Sequence, residues 1–131
     1  MATLLDLELE ALQQQIGRFA ALEAVPRLQE TDGFPLALWQ KMGEEKLLGL
    51  GLPPLYGGSG GNWLSIQAAG EAFVRGCHNL GMALSWMIHL IVTRFAILGF
   101  GSAGQIGQWL PRLASGESTI SLAISEPETG A

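Results

Sequence analysis

Cysteine is nearly absent from this 131-residue chain: Cys77 stands alone. No intrachain disulfide can form, so the sequence fits a reducing compartment, with a cytoplasmic location as the expectation. A lone thiol is read more readily as a small buried side chain than as a nucleophile. Charge is scarce as well. Charged residues make up 15% of the chain against 48% apolar ones, which implies either very efficient burial or a surface that expects a partner. Basic residues are few: the seven Lys and Arg are scattered, and the net charge is −5. General nucleic-acid binding is excluded on that ground, because neutralising phosphates takes clustered Lys and Arg. The chain opens on Asp6, Glu8 and Glu10, where a secretory signal would carry a basic segment. His78 and His89 lack the spacing and the carboxylate company of a metal site.

What the chain has in abundance is apolar helix-forming sequence. Leu80 to Phe100 is dominated by Leu, Met, Ile, Trp and Phe, at roughly the length that crosses a bilayer. It also holds His89 and Arg94 in its interior, and charge at that depth is costly in lipid. The central helix of a globular core is therefore expected, with no membrane span. Upstream, Leu5, Leu9, Leu12, Ile16 and Phe19 recur at spacings of three and four and predict a first helix over residues 4–24 that Pro26 interrupts. A second helix starts near Pro35 with Leu38, Met42 and Leu47 inward. Asn62 is a candidate N-cap for a third over Trp63–Arg75, and a fourth covers Leu80–Leu98. Ser102 is a plausible cap for a fifth over Ala103–Ala114, with Ile106, Trp109, Leu110 and Leu113 inward and Pro111 expected to bend or shorten it.

Between the second and third helices, six glycines and two prolines fall between Gly49 and Gly61, a composition that cannot continue a helix. Leu50, Leu52, Leu55 and Tyr56 mark this stretch as an ordered loop packed on the domain, with positive φ at some glycines. A phosphate cradle is a poor match, since no Gly-Lys-Ser/Thr follows. After Gly116 the character changes, and Thr119–Ser125 has the β-branched and apolar content of a strand. No second strong strand signal exists to pair with it, and a lone strand is not a stable unit. The expected class is all-α: a bundle of about five helices over residues 1–117, with 118–131 as the first strand and turn of a β-domain.

Three segments in order carry a family resemblance. Pro53-Pro54-Leu55-Tyr56-Gly57-Gly58-Ser59-Gly60 is similar to a Pro-Glu-x-Tyr-Gly-Gly-x-Gly loop. Leu110-Pro111-Arg112-Leu113-Ala114-Ser115-Gly116-Glu117 matches a helix ending in Leu-Pro-x-Leu-Ala-x-Gly-Glu. Ser125-Glu126-Pro127 resembles the entry to Thr-Glu-Pro-x-Ala-Gly-Ser-Asp. Together they resemble the acyl-CoA dehydrogenase family, over nearly the whole chain. The resemblance implies FAD as cofactor and α,β-dehydrogenation of an acyl-CoA thioester, with an electron acceptor and a homo-oligomeric assembly. By motif position it implies flavin contacts from the backbone of Leu122 and Ile124, the hydroxyl of Ser125 in place of Thr, Gly130, and Ala131 in place of Ser. Carried over by spacing, Leu84, Ser85, Ile88, His89 and Val92 would line the acyl pocket; 85, 88, 89 and 92 also share one helical face. The bland readings stay beside these: Ile88 and Val92 as core, His89 as a satisfied core histidine. The resemblance places the catalytic carboxylate outside these residues, so no catalytic residue is assigned, and Glu71, Glu117 and Glu126 are left without that role. An isolated helical piece would be inactive. The alternative is a standalone helical interaction or dimerisation domain without flavin.

Overall fold

A computed structural model describes residues 3–129. Gly130 and Ala131 lie outside the described residues. The chain is all-α, built from α1 (Leu4–Phe19), α2 (Val25–Gln29), α3 (Leu36–Glu44), α4 (Trp63–Cys77), α5 (Leu80–Val92) and α6 (Ala103–Ser115). A π-helical turn over Ala20–Ala24 fuses α1 to α2, and another over Thr93–Leu98 extends α5, so the described residues form five helical rods.

Helix starts are set by side chains that satisfy the first free N–H groups. Thr3 and Asp6 cap α1 reciprocally, through Thr3 N–H to Asp6 Oδ2 at 2.7 Å and Asp6 N–H to Thr3 Oγ1 at 3.2 Å. Asn62 accepts from Leu64 N–H at 2.9 Å at the head of α4. Ser102 and Gln105 form the same reciprocal box on α6. Gly116 ends α6 in the left-handed region at φ 81°. A Cβ there would also come within 2.7 Å of Leu48 Cδ1, so both backbone and packing call for glycine.

Both prolines are absorbed: Pro26 where interruption was expected, and Pro111 where a bend or a shortening was. The helical run passes through Pro26 to Gln29, because the chain widens to a π turn just before it: Val25 N–H bonds to Ala20 O, five residues back. A wider turn is one of the identifiable ways a helix accommodates a disturbed bonding ladder. Likewise α6 continues past Pro111 to Ser115. The carbonyl that Pro111 leaves without an N–H partner belongs to Gly107, an exposed position where water can serve it.

The core is a contiguous cluster in which Ile16, Leu38, Met42, Phe73, Trp86 and Leu90 are almost wholly buried. Trp86 Nε1–H donates to Leu47 O at 3.1 Å, which lets a large indole enter the core with its polar atom paired. Leu80–Leu98 is one helical run long and apolar enough to cross a membrane; here its Met82, Ala83, Trp86, Leu90 and Val92 are buried in the protein core. Arg94, half-buried, donates to the Gly51 carbonyl and lies over the Trp63 ring at 5.2 Å. It thereby fastens the glycine-rich loop to the far end of the α5 rod. That loop is ordered as expected: Gly51 N–H bonds to Gly60 O at 2.7 Å and Gly60 N–H to Leu52 O at 2.9 Å. Gly51, Gly57, Gly60 and Gly61 take positive φ.

Three side chains depart from expectation. Leu55 is 83% exposed, at the tip of the loop that Leu50 and Leu52 anchor. Trp109 faces outward, with Arg112 over its ring at 5.4 Å, because an indole can cover a guanidinium stem at the surface as well as fill a core. Leu5, at the head of the α1 stripe, is half-exposed, whereas Ile16 near its end is fully buried. The strand expected over Thr119–Ser125 is not formed, and no sheet exists among the described residues. The physical reason is the missing partner: a strand's N–H and C=O groups need a neighbour to form a ladder.

Candidate functional site

The face of α5 that sequence spacing singled out is split by the fold. Ser85, Ile88 and His89 come together in one cleft of about 470 Å³, closed on other sides by Phe34, Leu36 and Trp39 and by Thr119, Ile120 and Ser121. Leu84 lies outside it, half-exposed on a groove shared with Leu80, Ala83 and Met87. Val92 is buried at 7% exposure and takes no part in the cleft. Phe34, Leu36 and Trp39 were not legible as site residues, since tertiary packing alone joins them to α5. A faint signal existed in Phe34, a large aromatic set in the turn-rich sequence before α3.

His89 is the polar centre of this wall. It is 1% exposed, its Nε2 lies 3.0 Å from Leu113 O, and its ring meets Trp39 edge-on with centroids 5.0 Å apart. A carbonyl only accepts, so Nε2 carries the hydrogen and Nδ1 holds a free lone pair. Burial pushes the imidazole below its ordinary value of 6.5, against a smaller opposing effect of the Leu113 bond; it is neutral near pH 7. Among the described residues, Nδ1 has no protein partner, and neither do Trp39 Nε1 and Thr93 Oγ1. His89 thus ties α5 to the last turn of α6 and belongs to the lining of the cleft; with Nδ1 unpartnered among the described residues, it is not the fully satisfied core histidine of the bland reading.

The segment expected to meet a flavin begins at the same cleft and runs outward. Leu122 and Ile124 are 56% and 59% exposed, and Ser125 is exposed. Among the described residues, Thr119–Ser125 makes no backbone–backbone hydrogen bond. Glu126 N–H then bonds to Thr129 O at 3.3 Å, closing the turn around Pro127. The N–H and C=O groups of Leu122 and Ile124 and the Ser125 hydroxyl are therefore available as donors and acceptors, which is what an edge-on contact to a planar heterocycle requires. The Cys77 thiol is no rival centre, since burial pushes it above its ordinary value and away from the reactive thiolate.

Residues 6–117 match the family model described as the acyl-CoA dehydrogenase N-terminal domain. The chain belongs to this family. An acyl-CoA dehydrogenase of Bacillus subtilis is 34% identical over 122 residues, covering 91% of this chain and 32% of that protein. An L-prolyl-[peptidyl-carrier protein] dehydrogenase of Pseudomonas fluorescens is 40% identical over 97 residues, covering 74% and 26%. The crystal structure of a probable acyl-CoA dehydrogenase from Mycobacterium abscessus superposes with a TM-score of 0.80 at 28% identity, over 99% of this chain and 34% of that one. The chain thus spans about a third of the length of the relatives it matches. As in its sequence, so in its fold it is an acyl-CoA dehydrogenase N-terminal domain, all-α throughout the described residues.

Proposed function

We propose that these residues are the N-terminal part of an FAD-dependent acyl-CoA dehydrogenase, and that the cleft against α5 holds the acyl group of a thioester. The observation that carries the reading is the convergence of Ser85, Ile88 and His89 with Thr119–Ser121 on one cleft, from which the unpaired segment bearing Leu122, Ile124 and Ser125 departs. A substrate carbon chain lying in the cleft would so be delivered beside a cofactor held by that segment. When bound, FAD would supply the acceptor for a hydride from the substrate β-carbon while a base takes the α-proton.

The chain's own part is binding and orientation. Ile88 and Leu36 offer apolar surface to the acyl chain and keep water from it, Ser85 offers a hydroxyl at the cleft edge, and Leu122, Ile124 and Ser125 offer hydrogen bonds to the cofactor. Residues 118–131 would open the β-domain in which that cofactor sits. Among the described residues no carboxylate lines the cleft; the base would come from outside these residues, and an isolated piece would not turn over. A cytoplasmic setting is part of the same proposal, since a single cysteine asks for no oxidising compartment.

A ridge on the outer side of α5 supports assembly. Leu84, Ile88, Ile91 and Phe95 recur at spacings of four, three and four and are 44–56% exposed, a stripe suited to burial against other helices. The same ridge would serve a flavin-free helical interaction domain that dimerises. Exchanging residues 6–117 into the Bacillus subtilis relative separates the two readings. A folded chimaera that retains flavin and oxidises acyl-CoA supports the enzyme; a folded, flavin-bearing chimaera that reduces on no acyl thioester counts against it.

A further inference from the structure

Resting on the assignment of the cleft as the acyl site, we propose that it selects an aryl-terminated acyl group over an aliphatic one of the same carbon skeleton. The deciding feature is an aromatic row along one wall. Phe34 and Trp39 sit with ring centroids 5.5 Å apart at 57°, and Trp39 and His89 follow at 5.0 Å and 88°. These are separations and tilts at which rings attract one another beyond their buried area. A further ring entering the cleft joins a row that is already built.

The row has a fixed end and an open one. Trp39 and His89 are 2% and 1% exposed and are locked in the core. Phe34 lies on the loop before α3 and is 53% exposed, so much of its ring remains uncovered. Facing the row are the apolar Ile88 and Ile120 and the hydroxyl-bearing Ser85, Thr119 and Ser121. Among the described residues, no Asp, Glu, Lys or Arg lines the cleft. An acyl group ending in a carboxylate or an ammonium would lose its hydration there without gaining a counter-charge. The volume of about 470 Å³ lies in the range of small-molecule sites and accommodates a phenyl ring on a short acyl stem. A straight or saturated chain gains contact area alone; an aryl ring gains area and the ring–ring geometry as well.

The test uses the protein isolated from its native source, isotope-labelled, titrated with phenylpropanoyl-pantetheine and with cyclohexylpropanoyl-pantetheine. The two share a carbon skeleton and differ only in ring unsaturation. The phenyl compound is expected to bind about three- to tenfold more tightly, shifting the Trp39 indole and His89 ring signals. Phe34→Leu keeps apolar bulk at an exposed site and should reduce that preference to below about twofold, with the dispersion of the remaining spectrum unchanged. Equal or tighter binding of the cyclohexyl compound, with shifts at the same residues, overturns the aryl preference and leaves the acyl site standing. Shifts at none of Ser85, Ile88 and His89 with either compound overturn both.

Discussion

Removing the His89 side chain tests the dual position of this residue at the cleft wall and at the end of α6. In His89→Ala the hydrogen bond to Leu113 O is lost, a net loss of about 0.5–1.5 kcal/mol. The edge contact with Trp39 is worth a similar amount, and a ring-sized void in a closed site adds to both. Two effects oppose. The unpaired Nδ1 carries a burial penalty that disappears with the ring, on the order of 1–3 kcal/mol. Leu113 O also keeps a second donor in Gly116 N–H at 3.3 Å, so it is not orphaned. The void and lost contacts outweigh the relieved penalty, and a net loss of roughly 1–3 kcal/mol is expected. His89→Leu fills the void and removes both polar atoms, so it should cost less than about 1 kcal/mol.

The same residue fixes a pH dependence. Its value is depressed in the folded state relative to 6.5, so the unfolded chain takes up a proton first as pH falls. Its contribution is fully present above the unfolded value and is lost as pH falls from there toward the folded value. Urea unfolding followed by circular dichroism, at pH 7.5 and pH 5.5, should show His89→Leu gaining on the wild type as pH drops. Parallel curves for wild type and His89→Leu across that interval would refute the buried neutral imidazole. A larger loss for His89→Leu than for His89→Ala would refute the packing argument.

Glycine substitutions should diverge in sign. Gly17, inside α1, has open space where a Cβ would sit, and Gly17→Ala should stabilise by about 0.5–1 kcal/mol in the same urea assay. At Gly58 a Cβ would collide with the Leu52 carbonyl, backbone that cannot yield, so Gly58→Ala should lower stability by roughly 2 kcal/mol or more. Arg94→Met keeps the apolar stem but gives up the Gly51 carbonyl and the Trp63 ring; hydrogen exchange across Gly51–Gly61 should quicken by about tenfold, while α1 and α4 stay protected. If the proposed flavin contact at Ser125 holds, Ser125→Ala should weaken flavin retention by about three- to tenfold, measured as free flavin after dialysis, with helical content unchanged.

Much of this architecture could be read without coordinates, because local chemistry and tertiary packing agree along most of the chain. The inward positions Ile16 on α1 and Leu38 and Met42 on α3, the caps Asn62 and Ser102, and the left-handed glycines of the loop all follow from spacing and residue type. Pro26 did not behave as a breaker, and Pro111 did not shorten α6. Whether a proline ends a helix depends on neighbours that can widen a turn or solvate a carbonyl, and no residue pattern announces a π turn. Trp109 was misplaced because an amphipathic indole suits a core and an Arg-covered surface equally. At the cleft, the helical period grouped Ser85, Ile88 and His89, which the fold keeps together, since one face of one helix is a local property. It could not separate Val92 from them, nor bring Phe34 and Trp39 alongside, because those outcomes depend on how α3 and the segment after α6 pack on α5; Leu84 was never on that face and came from the family spacing alone.

The central claim is that these residues belong to a flavin-dependent acyl-CoA oxidising enzyme. It is tested most directly on the protein isolated from its native source, by recording its intact mass and visible spectrum and then adding acyl-CoA thioesters without oxygen. The account predicts a chain longer than 131 residues with a flavin spectrum that bleaches on addition of a thioester. A colourless protein of 131 residues that takes up no flavin would contradict it.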